Sequence, residues 1–136
     1  MPRGARKESS AEELEATAET DLAAAINNFA HYRTVMNPRF TLAGKWFPRS
    51  LATVLRNFWD DFLAGKRPVL LLQTPPQHGK SLTVIDFIAW CVGHDPNLRV
   101  IYASFSDRLS IRANLRVQRA LDNPLYQYLF PKRASH

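Results

Sequence analysis

Apolar positions change their period along this chain, and each change marks an expected element. Leu22, Ile26, Phe29 and Ala30 form one apolar stripe at helical spacing within an Ala-rich run. Ser10-Ala-Glu-Glu13 fits a capping box, which predicts a helix starting at Ser10 and continuing to about Met36. It should stop at Asn37-Pro38, because a residue before proline disfavours α geometry. Residues 37–49 carry Pro38, Gly44 and Pro48 and predict a loop. A second helix is expected from near Ser50, with Leu51, Val54, Leu55, Phe58, Phe62 and Leu63 at helical spacing. Gly65 suits the residue just past its end, and Lys66 and Arg67 follow near the negative end of the dipole.

Beyond residue 67 the period is lost. Pro68-Val-Leu-Leu-Leu-Gln73 is a short continuous apolar run, which predicts a strand buried on both faces of a parallel sheet. Residues 82–91 (Leu82, Val84, Ile85, Phe87, Ile88, Trp90, Cys91) predict a helix apolar nearly all round, hence sandwiched. Gly93, Asp95 and Pro96 should end it. Arg99-Val-Ile-Tyr-Ala-Ser104 reads as a second buried strand and 107–122 as a helix with its charges outward. The expected fold is therefore α/β: a parallel sheet with flanking helices and a right-handed crossover, preceded by N-terminal helices. Two such strands alone leave open edges, so a poorly folded or self-associating chain is expected.

Composition narrows the class. With 136 residues, 46% hydrophobic and 22% charged, the chain has the size and apolar content of one small soluble domain. No apolar run approaches the ~18–20 residues of a membrane span, so no membrane partner is expected. The first residues lack the apolar stretch of a secretory signal. Cys91 is the single cysteine, which excludes an internal disulfide and points to a reducing, cytoplasmic setting. The net charge of +6 is unevenly spread. Residues 1–21 hold three basic and six acidic side chains, whereas the rest hold 15 basic and six acidic ones. A basic body behind an acidic lead-in fits either a polyanionic partner or a solvated basic surface.

The chemistry concentrates at Gly79-Lys80-Ser81, between the first expected strand and the apolar helix. Pro75 and Pro76 donate no backbone hydrogen bond and carry the chain out extended. The N–H groups of Gln77, His78, Gly79, Lys80 and Ser81 then follow without interruption at a helix N-terminus, where they can form an anion nest. In a phosphate-binding loop, Lys80 would meet the β- and γ-phosphates of ATP and the Ser81 hydroxyl would ligate Mg²⁺. The alternative is a tight strand-to-helix turn with a solvated lysine. Position 74 departs from the full G-x-x-x-x-G-K-[ST] pattern, since Thr74 stands where glycine is expected.

Pro75-Pro-Gln-His-Gly-Lys-Ser81 resembles the deviant Walker A motif, PPRHGKS, of tailed-phage terminase large subunits. The likeness spans about residues 25–131. It takes in the Trp46 segment, helix 50–64, Ala89-Trp90 and Arg99-Val-Ile-Tyr-Ala-Ser-Phe-Ser106, which is similar to the family's "ASYS" turn. Asn123-Pro-Leu-Tyr-Gln-Tyr-Leu-Phe-Pro131 is similar to its "Y..LFP" segment, whereas Gln77 replaces a common arginine. The resemblance implies an ATP-driven motor that packages double-stranded DNA into proheads in the host cytoplasm, with a small terminase subunit and a portal protein as partners. It implies Lys80 as the catalytic lysine, Ser104 and Ser106 as residues coupling nucleotide state to DNA, and the Trp46 loop with helix 50–64 near adenine.

No Walker B carboxylate pair follows the loop, and no RNase-H-like acidic cluster is present. Residues 1–24 therefore read as an acidic helical lead-in and 25–136 as the N-terminal portion of a P-loop ATPase domain, truncated before Walker B and inactive alone. The alternatives are another P-loop DNA translocase or helicase-like ATPase, or a non-catalytic prophage remnant binding nucleotide or DNA. Among the other residues, His78 reads as loop structure, Cys91 as core and Asp60-Asp61 as a solvated face. Ser106 equally suits a helix N-cap. Arg108, Arg112, Arg116 and Arg119 recur on one broad helix face, suited to phosphate backbone or to solvent.

Overall fold

Asn28 divides what the apolar stripe predicts as one N-terminal helix. In the computed structural model, which describes residues 5–38, 46–76 and 79–131, the chain forms α1 (Ala5–Asn27) and then α2 (Phe29–Met36). Asn28 is extended (φ −133°, ψ 115°), and its Oδ1 accepts from the N–H groups of Ala30 and His31 at 2.9 and 3.2 Å. It is thus the N-cap of α2. The helix also begins earlier than the capping box implies, since Ser10 lies inside α1. Residues 11–20 are exposed on every side, and the core starts at Leu22 and Ala25. The stop at Met36, ahead of Asn37-Pro38, is as expected.

The following helix, α3 (Trp46–Leu63), takes in residues 46–49, which the breakers had assigned to a loop. Pro48 falls in its first turn, where the missing N–H costs nothing. Loop positions 39–45, Gly44 among them, lie outside the described residues, as does the Trp46 side chain. The buried stripe of α3 is Leu51, Ala52, Leu55 and Trp59, while Val54, Phe62 and Leu63 are exposed. At its end Gly65 has φ +79°; its N–H bonds to the Phe62 carbonyl and the Lys66 N–H to that of Asp61. This is a complete Schellman motif. Asp60 pairs with Arg56 and Asp61 with Lys66, so the acidic pair is a surface feature.

The α/β expectation is overturned. Among the described residues there is no strand and no sheet; the remaining elements are α4 (Lys80–His94), α5 (Asp107–Leu121) and α6 (Pro124–Leu129). Residues 68–73 and 99–104 are neither helix nor strand, and neither segment makes a backbone–backbone hydrogen bond among the described residues. A strand exists by its ladder, and here no neighbour supplies one. Nor is either segment buried on both faces. Leu70 and Leu72 pack inward, whereas Val69 is 96% exposed and Ile101 94%. An apolar run defines what wants cover, not what provides it.

Helix α4 is central, as its all-round apolar character predicts, and packs against α2, α3 and α5. Trp90 donates from Nε1 to the Ala25 carbonyl at 3.2 Å, and Tyr126 of α6 donates its hydroxyl to the Ala89 carbonyl at 2.7 Å. Rings of Phe29, Tyr32, Trp59, Phe87, Trp90, Tyr126 and Phe130 form one aromatic core. The helix ends at His94 with Asp95 as its C-cap, as expected, and Gly93 in its last turn also belongs to this packing. A Cβ there would sit 2.6 Å from the Phe130 ring. Cys91 is buried core, and burial pushes its thiol well above the ordinary value.

Candidate phosphate-binding turn and its arginine-lined neighbour

Gly79 opens α4 in the left-handed region (φ 73°, ψ 16°), and no side chain caps the helix there. Its carbonyl accepts from the Thr83 N–H at 2.9 Å and from the Thr83 hydroxyl at 2.8 Å. Thr83 is 2% exposed, so this clamp fixes the first turn from the core side. The opposite side is open, because a Cβ built on Gly79 would meet nothing within 4 Å. Space therefore lies over the turn at the positive end of the α4 dipole. Lys80 is the first helical residue and forms no ion pair among the described residues, and Ser81 is exposed on the same turn. Gln77 and His78, the other two expected phosphate contacts, lie outside the described residues.

Beside this turn, α2, α4 and α5 enclose a cavity of about 750 Å³ whose lining includes Ser81. Asp86, one helical turn beyond, lies on its wall. One carboxylate oxygen accepts from Arg33 Nε at 3.3 Å, and the other from Arg116 at 3.3 Å. Arg33 is 3% exposed; burial lowers its guanidinium from the ordinary value and Asp86 opposes that shift. Arg112 and Arg119 also line the cavity, one turn to either side of Arg116. Burial keeps the Tyr32 phenol on the same wall protonated.

The expected coupling pair is not at this cavity. Ser104 and Ser106 lie outside its lining, which Tyr102 reaches instead. Ser106 does hold the N-cap position of α5, but its side chain makes no capping bond; its N–H donates to Ser104 Oγ at 3.5 Å. Of the expected arginine face, Arg112, Arg116 and Arg119 line the cavity and Arg108 does not. The sequence reading missed Arg33 and Asp86. A signal existed, since Asp86 is the one carboxylate inside an otherwise apolar helix and must find a cation when buried.

Among the described residues no group of three or more His, Cys, Asp or Glu side chains converges to hold a metal ion. Mg²⁺ at the turn would rest on Ser81, phosphate oxygens and water, because both oxygens of Asp86 are taken by arginines. No described helix is long and apolar enough to cross a membrane. No protein-family model matches the chain, and no curated protein or solved structure is significantly similar to it.

Proposed function

We propose that the chain binds the phosphate groups of ATP, with Mg²⁺, through Gly79, Lys80 and Ser81. We further propose that it serves in ATP-driven packaging of double-stranded DNA, as its likeness to tailed-phage terminase large subunits implies, with a small terminase subunit and a portal protein as partners. The observation that carries the phosphate reading is the open, uncapped start of α4 at a left-handed Gly79. In this reading the backbone N–H groups of the first turn receive phosphate oxygens. Lys80 supplies a positive charge to the β- and γ-phosphates, and the Ser81 hydroxyl meets the metal.

A second reading, a nucleotide- or DNA-binding module without turnover, is favoured by the occupied state of Asp86. Among the described residues no free carboxylate lies beside Ser81 to hold the metal or position an attacking water. The two readings agree on binding and differ on hydrolysis. Calorimetric titration with ATP and Mg²⁺ should show binding that Lys80→Ala weakens about tenfold or more, as expected for a lost charge-assisted contact. Phosphate release should stay near background. Steady hydrolysis at about 1 s⁻¹ that Lys80→Ala abolishes would instead establish a working ATPase.

A further inference from the structure

We propose that the arginine-lined cavity between α2, α4 and α5, which adjoins the Gly79 turn at Ser81, is a binding site for a small ligand carrying two or more phosphate groups held by the arginines. The cavity's volume, about 750 Å³, lies within the range of roughly 300–1,000 Å³ in which small-molecule sites fall. Its lining carries four guanidiniums, from Arg33, Arg112, Arg116 and Arg119, and one carboxylate, from Asp86. Asp86 is shared between Arg33 and Arg116, each at 3.3 Å, so it orients both without balancing the total charge. Arg112 and Arg119 form no ion pair among the described residues.

The positions of these charges run against the interest of the fold alone. Arg112, Arg116 and Arg119 stand four and three residues apart on α5, where like charges repel. A surface helix could spread them around its circumference; here all three border one concavity. An anionic ligand removes that repulsion and receives bidentate hydrogen bonds from planar guanidiniums. The Asp86 bridges hold Arg116 in place before any ligand arrives, which lowers the ordering cost of binding. Apolar Ile85 and the Tyr102 ring complete the walls and suit an organic portion attached to the phosphates. This inference stands whether or not the Gly79 turn binds ATP.

The test is calorimetric titration of the whole chain with inorganic tripolyphosphate, using the Arg112→Ala/Arg119→Ala double variant and Lys80→Ala. Both arginines are exposed and unbridged, so the double variant should keep its helical circular dichroism and its unfolding midpoint. The expected result is a binding event in the parent chain that weakens about tenfold or more in the double variant and less than about threefold in Lys80→Ala, separate from any second event at the Gly79 turn that Lys80→Ala removes. Equal affinity in the parent and the double variant overturns the proposal, as does the absence of tripolyphosphate binding by the parent. Loss in Lys80→Ala alone would place the anion at the Gly79 turn, rejecting this site while sustaining the ATP reading. Failure of tripolyphosphate to bind, with duplex DNA affinity that depends on Arg112 and Arg119, would make the face a nucleic-acid contact and reject the small-ligand site.

Discussion

Asp86 is the carboxylate on which two arginines converge, and the two pairs differ in what they contribute. The Arg33 side chain is 2% exposed and that of Asp86 18%, so this bridge is largely removed from water. Taking away one partner of such a pair costs about 3 kcal/mol, because the other charge stays buried without compensation. Asp86→Asn should therefore lower the unfolding free energy by about that amount, seen as a lower urea midpoint at an unchanged slope. Arg116 is 38% exposed and its bridge is worth less than about 1 kcal/mol, so Arg116→Ala should barely move the same midpoint. At Gly79 the balance is conformational. Nothing obstructs a Cβ, yet φ +73° charges any other residue about 1–2 kcal/mol. Gly79→Ala should show that modest loss of stability in the same urea experiment, with a larger loss in ATP titration as the turn relaxes away from its phosphate-accepting form. At this scale the local residues were legible: Gly65, Cys91 and the Gly79 turn each follow from their own neighbourhood. The Arg33–Asp86–Arg116 set was not, because it joins positions up to 83 residues apart and no local pattern encodes the pairing.

Helix α6 is only six residues long, yet it closes the core. Asn123 caps it by accepting from the Leu125 N–H at 2.9 Å, Pro124 starts it, and Tyr126 and Leu129 are buried. Phe130, just beyond it, lies against Gly93 of α4. Alanine at 93 would gain about 1 kcal/mol of helix propensity but would drive its methyl into a buried ring at 2.6 Å. Overpacking of this kind costs about 1–3 kcal/mol. Gly93→Ala should accordingly destabilise on balance by about 1 kcal/mol, and Gly93→Val by more, in thermal or urea unfolding. Element boundaries were partly legible. Pro38 and Gly65 stop helices through backbone geometry that any sequence must obey. Asn28 went unread because a capping asparagine inside an Ala-rich run does not disturb the apolar spacing. Trp59 was absent from the expected stripe, although it lies four residues beyond Leu55 and eight beyond Leu51 on the same face.

Across the whole molecule, several large apolar side chains are left uncovered. Val69, Leu71, Ile101 and Phe105 are 80–98% exposed, and they lie outside helices and make no backbone–backbone hydrogen bond among the described residues. An apolar cavity of about 510 Å³ between α4 and α5 reaches Val100 and Tyr102 beneath one of these segments. Exposed apolar segments outside any hydrogen-bonded ladder recruit other chains. Size-exclusion chromatography should show an apparent mass that rises with concentration, and Leu71→Lys with Ile101→Lys should suppress that rise. The failed sheet expectation has the same origin: two continuous apolar runs point to buried strands by composition alone, but a sheet also needs neighbouring strands to pair with, and none is present among the described residues.

The molecule should also lose stability in mild acid. His94 meets Trp90 edge to face with ring centroids 4.3 Å apart, and its Nε2–H donates to the Ile26 carbonyl at 2.8 Å. Burial lowers its pKa below the ordinary 6.5, the Ile26 bond opposes this, and nearby Arg56 adds to the lowering. The unfolded chain therefore takes up the proton first. The contribution is complete above about pH 6.5 and falls away as pH drops through the lowered value. His94→Gln should flatten that slope in urea midpoints measured between about pH 7 and 5.

The central claim is that phosphate is received at the start of α4, and amide-resolved nuclear magnetic resonance tests it most directly. Titrating the ¹⁵N-labelled chain with ATP and Mg²⁺ should move the amide signals of Gly79, Lys80 and Ser81 saturably and before others. Lys80→Ala should shift the titration to about tenfold higher ATP or beyond. Saturable ATP binding that leaves those three amides unmoved, or no binding at millimolar ATP, would contradict the account.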